Sequence, residues 1–244
     1  MEEAFVFDRD YDEVISLADG TRVHLRLLRP EDREKLERGF ERLSGESRYR
    51  RFLGPKSELS DEEIEYLTDV DQYNHIAIAA ELAEGERAGE GIAVARCVRL
   101  HDDPDIAEAA VTVIDEFQHK GLGRKLLIRL VGAARERGIE KFRATLFSQN
   151  EPMRNLLREV GNIDIVENDG PVVTVDARIG GERGIPVPTP QEPEVELPPE
   201  NPLRRVLSMT AEGVVSLVDK FLRPTKTERN EEPDGDTDAD SAGD

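Results

Sequence analysis

The sequence predicts a mixed α+β fold in which helices flank a central sheet. Between residues 21 and 180, short runs of alternating or β-branched apolar residues are interleaved with segments whose apolar residues recur every three or four positions. The first pattern is typical of strands and the second of helices. Together they give the order β-α-α-β-β-β-α-β-α-β-β, with seven strands.

Boundary residues support the individual elements. Pro30 suits the first turn of a helix, Ser60 has the capping-box spacing to Glu63, and Gly138 and Gly161 are typical helix ends. The expected strands are 21–28, 74–82, 91–100, 108–114, 141–147, 163–166 and 172–179. The expected helices are 30–44, one starting at Ser60, a long helix ending near Arg137, and one from Asn150 to Val160.

The segment from Gln118 to Leu130 carries the clearest functional signal. It follows the β-branched run Glu108 to Ile114 and holds Gly121 and Gly123 among basic residues. Glycines let the backbone approach a ligand closely, and the free amides at a helix start favour a phosphate. The spacing lacks the Lys-Ser or Lys-Thr of a Walker loop and the third glycine of a dinucleotide fingerprint. An ordinary tight β-α turn is the alternative.

The pattern Gln-x-x-Gly-x-Gly, together with the order of elements, resembles the GCN5-related N-acetyltransferases (GNAT). This resemblance implies a mostly antiparallel, mixed sheet of about seven strands, with acetyl-CoA in the gap between two splayed parallel strands. It also implies which residues contact the cosubstrate: Val111, Val113, Gln118, His119, Lys120, Gly121, Leu122, Gly123, Arg124, Lys125 and Asn150.

Further segments resemble the acetyltransferase domain of Pat-type protein lysine acetyltransferases. They are Leu27-Leu-Arg-Pro-Glu-Asp32, Leu43-Ser-Gly-Glu-Ser-Arg-Tyr-Arg-Arg-Phe52, Leu67-Thr-Asp-Val-Asp71, the stretch around His75, and Ala107-Glu108-Ala-Ala-Val-Thr-Val. The resemblance implies transfer of an acetyl group to a protein lysine. Two alternatives stay open: an N-acetyltransferase for small amines such as polyamines, and a non-catalytic acyl-CoA sensor.

Amine acetylation needs a base, because a lysine amine is mostly protonated at neutral pH. Glu108 begins the strand that leads into the loop, and it matches the catalytic glutamate of the Pat-type family. Asp115 and Glu116 compete, but they lie nearer the expected phosphates. By resemblance His75 lies on the acceptor side, as a packing or gating residue rather than a proton carrier. The Tyr that many relatives use as an acid is replaced by Leu157.

The composition of the chain argues against several other functions and sites. The chain has 244 residues and a net charge of −20, with 26 Arg and only 7 Lys among its basic residues. Such acidity argues against binding nucleic acid, and the lysine-poor, acidic composition resembles that of halophilic proteins. One cysteine, Cys97, and four scattered histidines predict neither a disulfide nor a metal site. The absence of a leader and of a long apolar run predicts a cytoplasmic protein.

The chain divides by composition into an acetyltransferase domain and flanking segments. We expect an N-terminal segment at 1–20, the domain at 21–184, a Pro-rich linker at 185–202, an amphipathic helix at 203–223 and an acidic tail at 224–244. The helix at 203–223 would dock on the same domain, pair with another chain, or lie on a membrane surface. Residues 1–19 carry little pattern, and residues 48–53 form a basic, aromatic patch.

Overall fold

A computed structural model describes residues 6–179 of the chain. They form one mixed sheet with flanking helices, which confirms the predicted fold class, although the sheet has eight strands rather than about seven. The strands are β1 (Asp12–Ser16), β2 (Arg22–Leu27), β3 (His75–Leu82), β4 (Gly91–Arg99), β5 (Ile106–Val113), β6 (Lys141–Phe147), β7 (Ile163–Asp169) and β8 (Val172–Arg178). The α-helices are α1 (Arg33–Glu41), α2 (Gly45–Phe52), α3 (Asp61–Thr68), α4 (Leu122–Glu136) and α5 (Glu151–Val160).

The strand order, β1-β2-β3-β4-β5-β6-β8-β7, contains one parallel pair. That pair is β5 with β6, and its register covers only the residues from Ile106 to Glu108 against Lys141 to Arg143. Both strands continue beyond these positions, β5 to Val113 and β6 to Phe147. The two strands therefore diverge immediately after Glu108, as the predicted gap between splayed parallel strands requires.

The two faces of the sheet differ in chemistry. Helix α4 packs its apolar residues, among them Leu126 and Leu130, against one face, and both side chains are fully buried. Each such burial stabilises the fold by about 1.5–3 kcal/mol. The opposite face lies beneath α1 and α3, where Leu67 packs on Val98. This second face also carries buried charged groups, including Arg96.

Two elements were missed by the sequence patterns. Strand β1 pairs antiparallel with β2, so the sheet begins before the domain boundary predicted at residue 21. Helix α2 occupies the segment that appeared only as a basic, aromatic patch. Its N-cap is Ser44, whose side chain accepts a hydrogen bond from the Ser47 amide.

The helix predicted over 30–44 is shorter in the structure. Pro30–Asp32 forms a 3-10 turn, and α1 then runs only to Glu41. The carboxylate of Asp32 accepts two hydrogen bonds from Arg26 on β2, at 2.6 and 2.7 Å, which ties this turn to the sheet. The capping box of Ser60 with Glu63 is confirmed, and so is the Asn150 cap of α5.

The predicted linker at 185–202, the helix at 203–223 and the tail at 224–244 lie outside the described residues. Within residues 6–179, none of the helices combines the length and the apolar character needed to cross a membrane.

Candidate active site

A groove of about 360 Å³ opens where β5 and β6 diverge. It is bounded by the two strands, the loop before α4 and the start of α5. The residues predicted near the cosubstrate that it brings together are Val111, Val113, Gln118, His119, Gly121, Leu122, Gly123, Arg124 and Asn150. The predicted base, Glu108, lines the same groove.

The glycine loop has the backbone geometry of an anion cradle. Gly121 is the N-cap of α4 and has a left-handed φ of 82°. Gly123 lines the groove beside Leu156, Val113 and Val111, and a Cβ atom there would lie 3.7–3.8 Å from them, at ordinary van der Waals contact. The first amides of α4 have no partner within the helix and face the end where its dipole is positive. These features fit the pyrophosphate of acetyl-CoA.

The loop is fixed against α2 by polar contacts. The Gln118 side-chain amide donates to the Val113 carbonyl oxygen at 3.0 Å and to Ser47 Oγ at 3.1 Å. Asp115 accepts from the Ser44 amide and from the Ser44 and Ser47 hydroxyls, at 2.7–2.9 Å. Burial alone would raise the pKa of Asp115, but these hydrogen bonds hold it below its ordinary value. Asp115 is thus a structural residue.

Glu108 occupies the last paired position before the strands separate. Its neighbours in register are Val98 on β4 and Arg143 on β6. The charge of Glu108 also acts on Arg51 and Tyr66, which approach from α2 and α3. The carboxylate therefore lies at the inner end of the groove and within a cluster of polar side chains.

The competing carboxylate Glu116 is engaged away from Glu108. It accepts hydrogen bonds from Arg87 and Arg42, at 2.8–3.1 Å, on the outer surface of the sheet. These bonds lower the pKa of Glu116. Glu116 and Asp115 therefore serve to hold the turn before the loop.

His75, Tyr66 and Arg96 form a cluster in which His75 and Arg96 are buried and Tyr66, which feels the charge of Glu108, is partly buried. Arg96 donates from Nη1 to His75 Nε2 and to the Leu67 carbonyl oxygen, both at 3.0 Å. Burial, aided by the charge of Arg96, lowers the pKa of His75 to about 2. Burial is also the main cause that raises the pKa of Tyr66 to about 12. His75 does not line the groove. Within the cluster it is a neutral hydrogen-bond acceptor for Arg96.

Tyr66 could not be assigned a role from the sequence. It packs with Val98, the cross-strand neighbour of Glu108, and its ring centre lies 5.1 Å from that of His75. Its place depends on the register of β4 against β5, which no local pattern reveals. Arg51 and Thr112 were missed for the same reason: both line the groove, and Arg51 Nε donates to Thr112 Oγ1 at 3.2 Å.

Both lysines predicted near the cosubstrate lie outside the groove lining. Lys120 pairs with Asp19 at 3.0 Å and lies over the Phe117 ring. Lys125 lies in the first turn of α4, where its amide donates to the Gly121 carbonyl oxygen at 3.1 Å.

Cys97 does not line the groove. Cys97 is buried, and burial raises the pKa of its thiol to about 12. Between residues 6 and 179, no three His, Cys, Asp or Glu side chains are grouped so that they could hold a metal ion.

Comparison with known proteins agrees with this geometry. The family described as "Acetyltransferase (GNAT) family" matches residues 45–161. An acetyltransferase of Pseudomonas aeruginosa is 35% identical over 148 residues, which are 61% of this chain and 78% of that protein. The acetyltransferase Pat of Mycolicibacterium smegmatis is 32% identical over 160 residues, or 66% of this chain. The chain spans only about half of that relative, 47% of its length.

A solved structure shows the same architecture. The GNAT domain of S. lividans PAT superposes with a TM-score of 0.62 at 29% identity, covering 70% of this chain and 98% of that domain. The shared fold, and the diverging strands and glycine loop of this chain, agree with the family match. The chain belongs to the GNAT family of acetyltransferases.

Proposed function

We propose that this protein transfers the acetyl group of acetyl-CoA to the side-chain amine of a lysine on another protein, with Glu108 as general base. Membership of the GNAT family supports N-acetyl transfer, and the resemblance to Pat-type domains favours a protein lysine as acceptor. The observation that carries the assignment of the base is the position of Glu108, where β5 and β6 separate.

The position of Glu108 gives the carboxylate access to both substrates. Beyond Glu108, β5 is not paired with β6, so its backbone groups on that edge are available to an extended ligand. The pantetheine arm of acetyl-CoA is such a ligand. The pyrophosphate would lie on the amides at the start of α4, beside Arg124 and Arg50. This orientation directs the thioester towards the inner end of the groove and Glu108.

Glu108 would accept the proton that the amine loses as its nitrogen attacks the thioester carbon. The carbon–nitrogen bond forms, the carbon–sulfur bond breaks, and the thiolate leaves. Leu157, at the position of the missing tyrosine, is fully buried in an apolar cluster of α5 and β8 and offers no proton. The thiolate therefore leaves unaided or takes a proton from water.

The charges around the site favour a neutral amine over a polycation. The groove lining contains Arg50, Arg51 and Arg124 against the single acid Glu108, and outside the lining Arg50 pairs with Glu46 and Arg124 with Glu159. Such a surface attracts a phosphorylated cosubstrate and disfavours a polyamine that carries several positive charges. Small amines with one nitrogen remain the alternative substrates that the experiment must separate from lysine.

The test is acetyl transfer from labelled acetyl-CoA in molar KCl. One reaction offers deacetylated cell protein and a second offers a panel of small amines. We expect label in protein, and a loss of about 10²–10⁴-fold in the rate for Glu108→Gln, which keeps the size of the side chain but cannot accept the proton. Binding of acetyl-CoA should be retained in this variant.

Glu167→Gln on the exposed strand β7 is the matched control, because it removes a carboxylate from the same sheet away from the groove. Its rate should equal that of the unmodified protein. Full transfer by Glu108→Gln would show that Glu108 is not the base. Label confined to small amines would exclude the lysine assignment, and intact binding with no transfer would favour an acyl-CoA sensor.

A further inference from the structure

A second cavity, of about 90 Å³, lies beneath α1 on the face of the sheet that carries Glu108. It adjoins the groove, and Leu43, Arg51 and Thr112 line both spaces. Strand periodicity explains the connection. The side chains of Glu108, Ala110 and Thr112 share one face of β5, together with Arg96 and Val94, which are the β4 partners of Ala110 and Thr112. Ala110, which lines the groove, adds only a methyl group to this face between Glu108 and Thr112.

The cavity is mostly apolar, yet its charged groups are predominantly basic. Four basic and two acidic side chains line it: Arg26, Lys35, Arg51, Arg96, Asp32 and Glu81. This excess of positive charge occurs in a chain with a net charge of −20. The two acids are already bound by Arg26 and Lys35, through hydrogen bonds of 2.6–3.3 Å.

Arg51 and Arg96 are held differently, by neutral atoms. Arg51 donates to the Thr112 hydroxyl, and Arg96 donates to the Leu67 carbonyl oxygen and to neutral His75. Arg96 is only 4% exposed, and burial lowers the pKa of both guanidinium groups. The negative charge of Glu108 acts on Arg51 but also on Arg143. These two cations at the junction, Arg96 buried and Arg51 partly buried, thus attract a further anion.

Gly39 provides an independent sign that the cavity is kept open. It lies inside α1, where glycine costs about 0.5–1 kcal/mol relative to alanine. It lines the cavity, and a Cβ atom built there would meet no atom within 4 Å. The sequence therefore accepts a weaker helix at a residue that borders the cavity and has open space at its Cβ position.

We propose that this cavity binds the acyl chain of a thioester longer than acetyl-CoA, and that Arg51 and Arg96 bind a carboxylate at the end of that chain. The inference rests on the acyl transfer proposed above and names malonyl or succinyl thioesters as the chemical class. The reaction is unchanged: the amine nitrogen bonds to the thioester carbon, Glu108 takes the proton, and the thiolate leaves. The terminal carboxylate takes no part in the bond changes.

The size of the cavity fits such a chain. An engineered apolar cavity of about 150 Å³ holds benzene, whereas a single water needs only about 10–15 Å³. A space of 90 Å³ lies between the two and admits the three or four non-hydrogen atoms that extend an acetyl group to malonyl or succinyl.

The test compares butyryl-CoA with succinyl-CoA, whose acyl groups have four carbons and differ in the terminal carboxylate. Transfer to a lysine peptide and competition against acetyl-CoA for binding are both measured. We expect kcat/KM to favour succinyl over butyryl, and Arg51→Gln to reduce this ratio about 10–100-fold, because a charge-assisted hydrogen bond is lost. Arg50→Gln, on the same helix but outside the cavity, should weaken all thioesters equally and leave the ratio unchanged.

Gly39→Leu should fill the cavity, so that succinyl and butyryl transfer fall while acetyl transfer persists. Gly39→Ala is its size control. A ratio at or below one, or one that Arg51→Gln leaves unchanged, would overturn the carboxylate assignment. A preference for acceptor amines that bear a carboxylate, without preference among thioesters, would also overturn it. Absence of transfer from every thioester would refute the proposed function instead, and the binding competition would still test the cavity.

Discussion

At the scale of single residues, some predictions needed only local sequence and others needed the sheet. Glu108 and the glycines were found because they adjoin a strand and a helix start in the chain. Tyr66 and Arg96 were not, because they come from α3 and β4. The register of β4 with β5 places Arg96 opposite Ala110 and Val98, on which Tyr66 packs, opposite Glu108. A pattern along one segment does not contain the pairing between segments.

His75 gives a prediction that depends on its buried, neutral state. At high pH the imidazole is neutral in both the folded and the unfolded chain. Below about pH 6.5 the unfolded chain binds a proton that the folded chain refuses until about pH 2. The free energy of unfolding should therefore fall with decreasing pH, by about 1.4 kcal/mol per pH unit for this one group.

His75→Gln should flatten the pH dependence of the unfolding free energy between pH 6.5 and 5, measured by urea titration. His101→Gln, an exposed control, should not, and an unchanged slope in His75→Gln would contradict the assignment.

At the scale of elements, boundary signals were more reliable than periodicity. The capping box at Ser60, the Asn150 cap and the helix end at Gly138 all appear where the sequence placed them. Helix α2 was missed because its eight residues include few apolar positions. The start of the helix is also stabilised by Asp115, which is about 70 positions away and so contributes nothing to the local pattern. Strand β1 is a short edge strand with two apolar residues, Val14 and Ile15. Tertiary contacts decide such elements.

The loop before α4 gives a prediction at this scale. Gly121→Val should weaken CoA binding at least about tenfold, because a β-branched residue resists the left-handed φ of 82° and displaces the amides that hold the phosphates. Gly121→Asn should be milder, since Asn tolerates this conformation. Calorimetric titration with CoA measures the effect. Gly138→Val is the control: its φ is 73°, but it ends α4 away from the groove, so it should lower stability and spare binding. Equal binding by Gly121→Val and the unmodified protein would refute the cradle.

At the scale of the whole molecule, composition predicted charge but not its distribution. The net charge of −20 does not reveal that basic groups collect in the groove and in the cavity beneath α1. That separation arises because strands and helices distant in sequence bring their arginines together at the groove and at the cavity. Outside these two sites the surface is acidic, as on strand β7, and its carboxylates repel one another in the folded chain.

This repulsion predicts that added salt stabilises the protein. The screening length falls from about 10 Å at 0.1 M to about 3 Å at 1 M, so carboxylates on the surface cease to repel one another, while buried pairs such as Arg26 with Asp32 are affected less. We expect the melting temperature to rise steadily between 0.1 and 3 M KCl. The combined variant Asp164→Asn, Glu167→Gln and Asp169→Asn removes three exposed carboxylates of β7. It should raise the melting temperature at 0.1 M KCl and make little difference at 3 M. A melting temperature that falls with salt, or a variant that gains equally at both concentrations, would show that surface repulsion does not limit the stability of this fold.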